Sequence, residues 1–177
     1  MHVKAKQIAV TGLLAAFTVI LMVLSSVIES NSLFFIIAAS FCVGIVIREW
    51  GFGVGAGFLC ASTLVNLFVT PNKLYCVTFA AMGLYLLCSE FLWEKIAEKQ
   101  QMKNRNLTLW IGKYVIFNCL FIPSVLLFQE IIFATQITWK FLLVVIILGQ
   151  VALFIYDKAY LYFQGAIWGK LRERLMM

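Results

Sequence analysis

The sequence predicts an all-α integral membrane protein of six transmembrane helices, both termini cytoplasmic, ending in an amphipathic interfacial helix. Three observations carry the prediction. Of 177 residues, 63% are apolar and only 12% are charged. A soluble domain carries about 25% charged residues, so this chain cannot cover its own surface with polar groups. Apolar runs recur six times between charged or turn residues, and at ~20 residues per span they use the length without leaving room for a soluble domain. Finally, twelve of the fourteen Lys and Arg residues sort to one side when the runs are threaded back and forth, leaving only Lys73 and Lys140 on the other.

The expected spans are residues 8–28, 33–47, 52–69, 74–92, 109–133 and 139–156. The first follows Lys4 and Lys6; it is too long for a signal-peptide core and lacks an A-x-A site, so it is expected to be retained. The second is short for a crossing, which a start at Asn31 or local thinning of the bilayer would relieve. Breaks fall at 29–31, 48–51, 70–72, 94–105 and 134–138. The positive-inside rule then puts both ends in the cytoplasm, and Trp50, Trp93, Trp110, Trp139 and Trp168 fall near the expected interfaces, as an aromatic belt requires. Topology thus accounts for the +6 net charge without a nucleic-acid partner. Beyond the sixth span, residues 159–177 place Tyr160, Phe163, Ile167, Trp168, Leu171 and Leu175 at helical spacing, with Lys170, Arg172 and Arg174 on other faces. An amphipathic tail held on anionic membrane lipid is expected there.

Composition removes several chemistries. One His, His2, and one Asp, Asp157, exclude an intramembrane metalloprotease built on a His pair and a transferase built on an Asp cluster. Cys42, Cys60, Cys76, Cys88 and Cys119 are isolated, with no C-x-x-C, and read as apolar filler. There is no Gly-rich phosphate loop, so any ATP-driven work falls to a partner. Acid, base and nucleophile do not converge, and no enzyme, cofactor or metal site is expected.

Two small-residue stripes suggest helix contact faces, because association in lipid depends on close approach. Ala5, Ala9, Gly12 and Ala16 recur along the first span; Gly51, Gly53, Gly55 and Gly57 form two overlapping G-x-x-x-G pairs at the start of the third. Either internal packing or a membrane partner would account for them. Polar residues collect at the opposite membrane face. Glu29 and Asn31 lie in the first outer loop, and Asn66, Thr70, Asn72, Lys73 and Tyr75 surround the second. Gln129 and Glu130 fall inside the outer leaflet near the end of the fifth span, and Gln136 and Lys140 follow in the third outer loop. These residues are the candidate ligand site. Glu130 is the foremost, since a desolvated carboxylate must face protein, water or ligand and Pro123 upstream offers a kink. Nearer the bilayer centre, Asn118 and Gln150 are expected to supply each other's hydrogen bonds, and Glu90 reads as an interfacial acid.

Six short spans and the opening Lys4-Ala5-Lys6-Gln7-Ile8-Ala9-Val10-Thr11-Gly12-Leu13-Leu14-Ala15-Ala16 resemble the substrate-binding S component of energy-coupling factor (ECF) transporters. In residues the resemblance is confined to this first helix. It implies an A-x-x-x-A-type face on the first helix, here Ala9, Gly12 and Ala16, that docks on a transmembrane coupling subunit driven by two ATPase subunits; the spacing of Gly53 and Gly57 at the same membrane face adds them as candidates for that docking. It also implies a vitamin or other micronutrient captured near the outer face of a bacterial cytoplasmic membrane. The sequence departs from the pattern in one respect, since its only literal A-x-x-x-A in this helix is Ala5 to Ala9. The cobalt and nickel members also begin Met-His but hold that His outside and use further ones. Lys4 and Lys6 hold His2 inside here and no second His exists, so metal uptake is not expected. The competing reading is a small membrane scaffold or cell-envelope assembly protein with no ligand of its own.

Overall fold

The computed structural model describes residues 2–98, 104–133 and 139–176, with side chains described in these segments except at 2–4, 127–133, 139–141 and 173–176. All regular structure among the described residues is helical: α1 (His2–Val27), a 3-10 turn (Glu29–Asn31), α2 (Ser32–Trp50), α3 (Phe52–Val69), α4 (Lys73–Glu98), α5 (Arg105–Phe133), α6 (Trp139–Tyr162), a π-helical stretch (Phe163–Trp168) and α7 (Gly169–Met176). Six of these helices are long and apolar enough to cross a bilayer. The chain is a six-helix, multi-pass membrane protein.

Several helices outrun their apolar cores, while α3 keeps the expected bounds, Phe52–Val69. Hydropathy marks where the hydrocarbon slab begins, but a helix stops only where its backbone hydrogen bonds are interrupted. α2 therefore runs three residues past Ile47 to Trp50, which gives the short second span 19 residues, about 28 Å of helix. It ends at Gly51, whose N–H donates to Ile47 O at 2.8 Å. The carbonyl of Gly51 then accepts from Gly55 N at 3.1 Å, opening α3. One residue thus closes one helix and starts the next. Its φ of +85° and ψ of 173° belong to a region essentially confined to glycine. α4 likewise continues through the charged residues to Glu98, where Lys95 and Glu98 pair at 3.2 Å along the helix.

The chain divides within α4 into two compact units, one ending at Glu94 and the other beginning at Lys95. In the first, α1, α2 and α3 pack on one another. α1 buries Val10, Leu14, Thr18, Leu21, Met22 and Ser25, a stripe of helical period. α2 is buried all round from Ala39 to Ile47, as a helix at the centre of a bundle must be. Close approach is set by glycine: a Cβ at Gly55 would overlap Ile47, and one at Gly83 would overlap Leu59.

In the second unit α5 and α6 pack antiparallel. Trp110 stacks on Phe154 at 5.5 Å, and a Cβ on Gly149 would come within 2.6 Å of the Phe121 ring. α5 passes unbroken through Pro123, where Ser124 Oγ donates to Leu120 O at 2.6 Å beside the lost backbone donor. The expected amphipathic tail divides differently from its sequence pattern. Tyr160, Gln164 and Trp168 are buried, whereas Ile167 and Leu171 are exposed. The wider π turn keeps residues four apart on one line, so Gln164 replaces Phe163 on the inner face.

Candidate functional site

The expected ligand residues fall into two groups at helix joints and a third outside the described side chains. Glu29 and Asn31 are exposed on the 3-10 turn between α1 and α2. Asn72 and Lys73 are exposed at the α3 to α4 joint, with Tyr75 half-buried beyond them. Both joint residues have work in the backbone. Asn72 Oδ1 accepts from Leu74 N at 3.0 Å, and Lys73 Nζ donates to Thr70 O at 3.1 Å and to Leu67 O. They cap the end of α3 and the start of α4, which orphan carbonyls and amides require. Gln129 and Glu130 lie on α5 and Lys140 on α6, but their side chains, like all of residues 134–138, lie outside the described residues.

The small-residue stripes separate by surroundings. Ala5, Ala9, Gly12 and Ala16 are all exposed, and nothing lies within 4 Å of where a Cβ on Gly12 would stand. Gly53 and Gly57 are equally open and exposed. Gly51 and Gly55 form the other register, given to the turn and to Ile47. Packing thus uses Gly55 and the turn uses Gly51, while Gly53, Gly57 and the α1 stripe are left on the outside.

Three polar pairs between helices are seen inside the units among the described residues. Asn118 and Gln150 exchange hydrogen bonds reciprocally, Gln150 Nε2 to Asn118 Oδ1 at 2.8 Å and Asn118 Nδ2 to Gln150 Oε1 at 3.3 Å, as their positions in adjacent spans predicted. Sequence reasoning missed the other two. Glu90, expected as an interfacial acid, accepts from Arg48 Nε at 2.9 Å and Nη2 at 2.7 Å through one oxygen. Asp157 accepts from Lys113 Nζ at 2.6 Å. The usable signal was that a lone acid in an apolar run needs a cation, and that each of these cations sits near the same end of its span.

A further polar set lies along the end of α3 and its cap. Ser62 and Asn66 on α3 and Thr70, the C-cap residue, are 2%, 0% and 0% exposed and recur at every fourth position, with Thr63 three positions before Asn66. The hydroxyls of all three hydroxyl residues, and both the amide nitrogen and oxygen of Asn66, are buried without a hydrogen-bond partner among the described residues. None of the four is titratable, so this set can recognise but cannot do acid or base chemistry. Asn66 and Thr70 were visible as polar residues of the second outer loop; the line they make with Ser62 was not.

No family model, curated protein or solved structure matches the chain. Among the described residues no group of three or more His, Cys, Asp or Glu comes together that could hold a metal.

Proposed function

We propose that this chain is the ligand-capturing membrane subunit of an ECF-type uptake transporter, with both termini cytoplasmic. It binds a small molecule toward the outer ends of its helices and docks through α1 on a coupling subunit worked by two ATPase subunits. The observation that carries the reading is the α1 stripe: Ala5, Ala9, Gly12 and Ala16 are all exposed, although small residues in membrane helices serve mainly to let another helix approach. Gly53 and Gly57 add a second open face at the N-terminal end of α3, the same end of the bundle when spans alternate in direction. The opening sequence that resembles S components contains this stripe.

The test is co-expression with an ECF coupling subunit and its ATPases, followed by affinity capture from detergent. Wild type is expected to bring the module with it. Gly12→Leu and Ala16→Leu, which hold a facing helix away, are expected to lose it while melting as wild type does. Capture undiminished by both substitutions would remove the docking role. Loss of folding in both would return the stripe to internal packing and favour a scaffold with no ligand.

A further inference from the structure

We propose that one edge of the helix running from α6 through the π stretch into α7, carrying Lys158, Tyr162 and Lys170, is a docking surface for the anionic headgroups of the membrane leaflet at that end. The first argument is length. α6, the π stretch and α7 follow one another without a break from Trp139 to Met176. At about 1.5 Å per residue that is about 57 Å of helix, against about 40–45 Å for a whole bilayer with its headgroups. About 20 residues from Trp139 cross the hydrocarbon, so its boundary falls near Lys158 and the last turns lie among or beyond the headgroups.

The second argument is register. Tyr156, Tyr160, Gln164 and Trp168 are buried, every fourth residue on one line. Residues two further along stand about 200° away, on the opposite side of the helix. These are Lys158, Tyr162, Ala166 and Lys170, and the three larger ones are exposed, Tyr162 to 70%. In an unbroken α-helix twelve residues would leave Lys170 about 120° from Lys158. The π stretch between them absorbs about 100° of that turn and brings the two lysines onto one edge. Between Tyr162 and Lys170 the edge is shallow, since nothing lies within 4 Å of where a Cβ on Gly165 would stand. The letters alone suggested an apolar face lying on the membrane; the π register presents a basic edge instead.

The third argument is what this edge continues. Nearer the membrane centre the same side of α6 exposes Ile147, Val151 and Ile155, which in a spanning helix face lipid tails. A ligand that meets this stripe and then Lys158 has apolar chains ending in an anion, as an acidic phospholipid has. The Lys158 ammonium and the Tyr162 hydroxyl, one turn apart, supply two donors for its phosphate. Charge agrees. From Lys158 onward the sequence holds four cations, Lys158, Lys170, Arg172 and Arg174, against one acid, Glu173, a net of +3. Asp157 subtracts nothing, being paired with Lys113 at 2.6 Å. The Lys158 ammonium lies 5.7 Å from the centroid of the exposed Phe154 ring, which holds the cation on the lipid side without neutralising it. A helix leaning toward this edge sets Lys170 down on the headgroups, and tilts up to about 40° are within the usual range.

The experiment uses the full chain in detergent, titrated with phosphatidylglycerol, phosphatidylcholine or sodium phosphate. Bound lipid is read by native mass spectrometry and stability by thermal melting. Wild type is expected to retain phosphatidylglycerol in preference to phosphatidylcholine, to melt higher with it, and to lose the preference as salt is raised. Lys158→Gln and Lys170→Gln are each expected to weaken retention about fivefold, the worth of one lysine at an anionic surface. The decisive variant exchanges two exposed neighbours, Lys170→Leu with Leu171→Lys. Composition and net charge are kept, but the cation is turned about 100° off the edge, so binding is expected to fall as far as in Lys170→Gln. Three results overturn the docking. Equal retention of phosphatidylcholine would remove the charge, and undiminished binding by the exchange variant would reduce the edge to net charge alone. Displacement of the lipid by sodium phosphate would assign the edge to a free anion. None of these readouts involves a coupling module, so the uptake reading stands or falls separately.

Discussion

Lys113 Nζ sits 2.6 Å from Asp157 Oδ1, and the Asp157 side chain is 1% exposed against 13% for Lys113. The pair locks α5 to α6 near one end of their hairpin, with the stacked Trp110 and Phe154 beside it. Removing one member leaves the other charged and enclosed. Lys113→Met and Asp157→Leu are therefore each expected to destabilise by about 3–5 kcal/mol, and the double variant by much less than their sum. Thermal melts of the four proteins of this cycle give the coupling directly; additive losses would show that the two charges do not depend on each other.

Arg48 and Glu90 should behave more mildly. Arg48 remains 34% exposed, so solvent screens the pair and replaces part of its hydrogen bonding on loss of the acid. Glu90→Gln is expected to cost on the order of 1 kcal/mol, with a smaller coupling energy than the Lys113 and Asp157 cycle measured in the same detergent. A larger one would mean that exposure is a poor guide to screening at this bundle end.

For the amide pair the asymmetry of hydrogen bonding makes a sharper forecast. Asn118→Leu leaves Gln150 without its partner and is expected to cost about 1–3 kcal/mol, whereas Asn118→Leu with Gln150→Leu removes both polar groups and recovers most of it. Equal losses in the single and double variants would deny the reciprocal bonding.

The glycines of the α2 to α3 region separate three roles by one substitution. Gly51→Ala forces a Cβ into a backbone region reserved for glycine and is expected to lose about 1–3 kcal/mol. Gly55→Ala also loses stability, because its Cβ would overlap Ile47 and stand 3.2 Å from the Ile47 Cα. Gly53→Ala and Gly57→Ala meet nothing within 4 Å and are expected to be neutral or to gain up to about 1 kcal/mol from helix propensity. Urea or thermal unfolding of the four single variants separates the three cases.

Topology is checked by labelling. Asn72 is exposed at the α3 to α4 joint, so a single cysteine placed there in a background lacking the five native cysteines is expected to react with an impermeant reagent from outside the cell. Reaction only after the membrane is opened would reverse the orientation that the basic residues suggest.

How much of this was readable beforehand depends on whether the feature is a property of one helix or of two. The six spans were legible, because a run of apolar residues states its own burial. Some of their ends were legible too, both ends of α3 among them, but the Glu94 to Glu98 stretch is charged yet helical, since i,i+3 pairing such as Lys95 with Glu98 supports a helix beyond the slab. Asn118 and Gln150 were legible as a pair because each was the lone amide near the centre of its span. The partners of Glu90 and Asp157 were not, for they depend on how neighbouring helices are rotated. The α3 line shows the limit most plainly. Its spacing was visible in the letters, but whether Ser62 or Thr70 bonds back to its own helix is a matter of side-chain torsion.

The one-residue joint at Gly51 has a consequence for how the protein is made. α2 and α3 are so closely tethered that α2 has no loop on which to settle across the bilayer while α3 is still being synthesised. The two helices are therefore expected to enter the membrane together, as a hairpin with Gly51 at its tip and Arg48 three residues before it. A polar linker inserted after Gly51 would let α2 commit first, and pulse-labelled chains arrested at that length would reveal the change in the order of insertion.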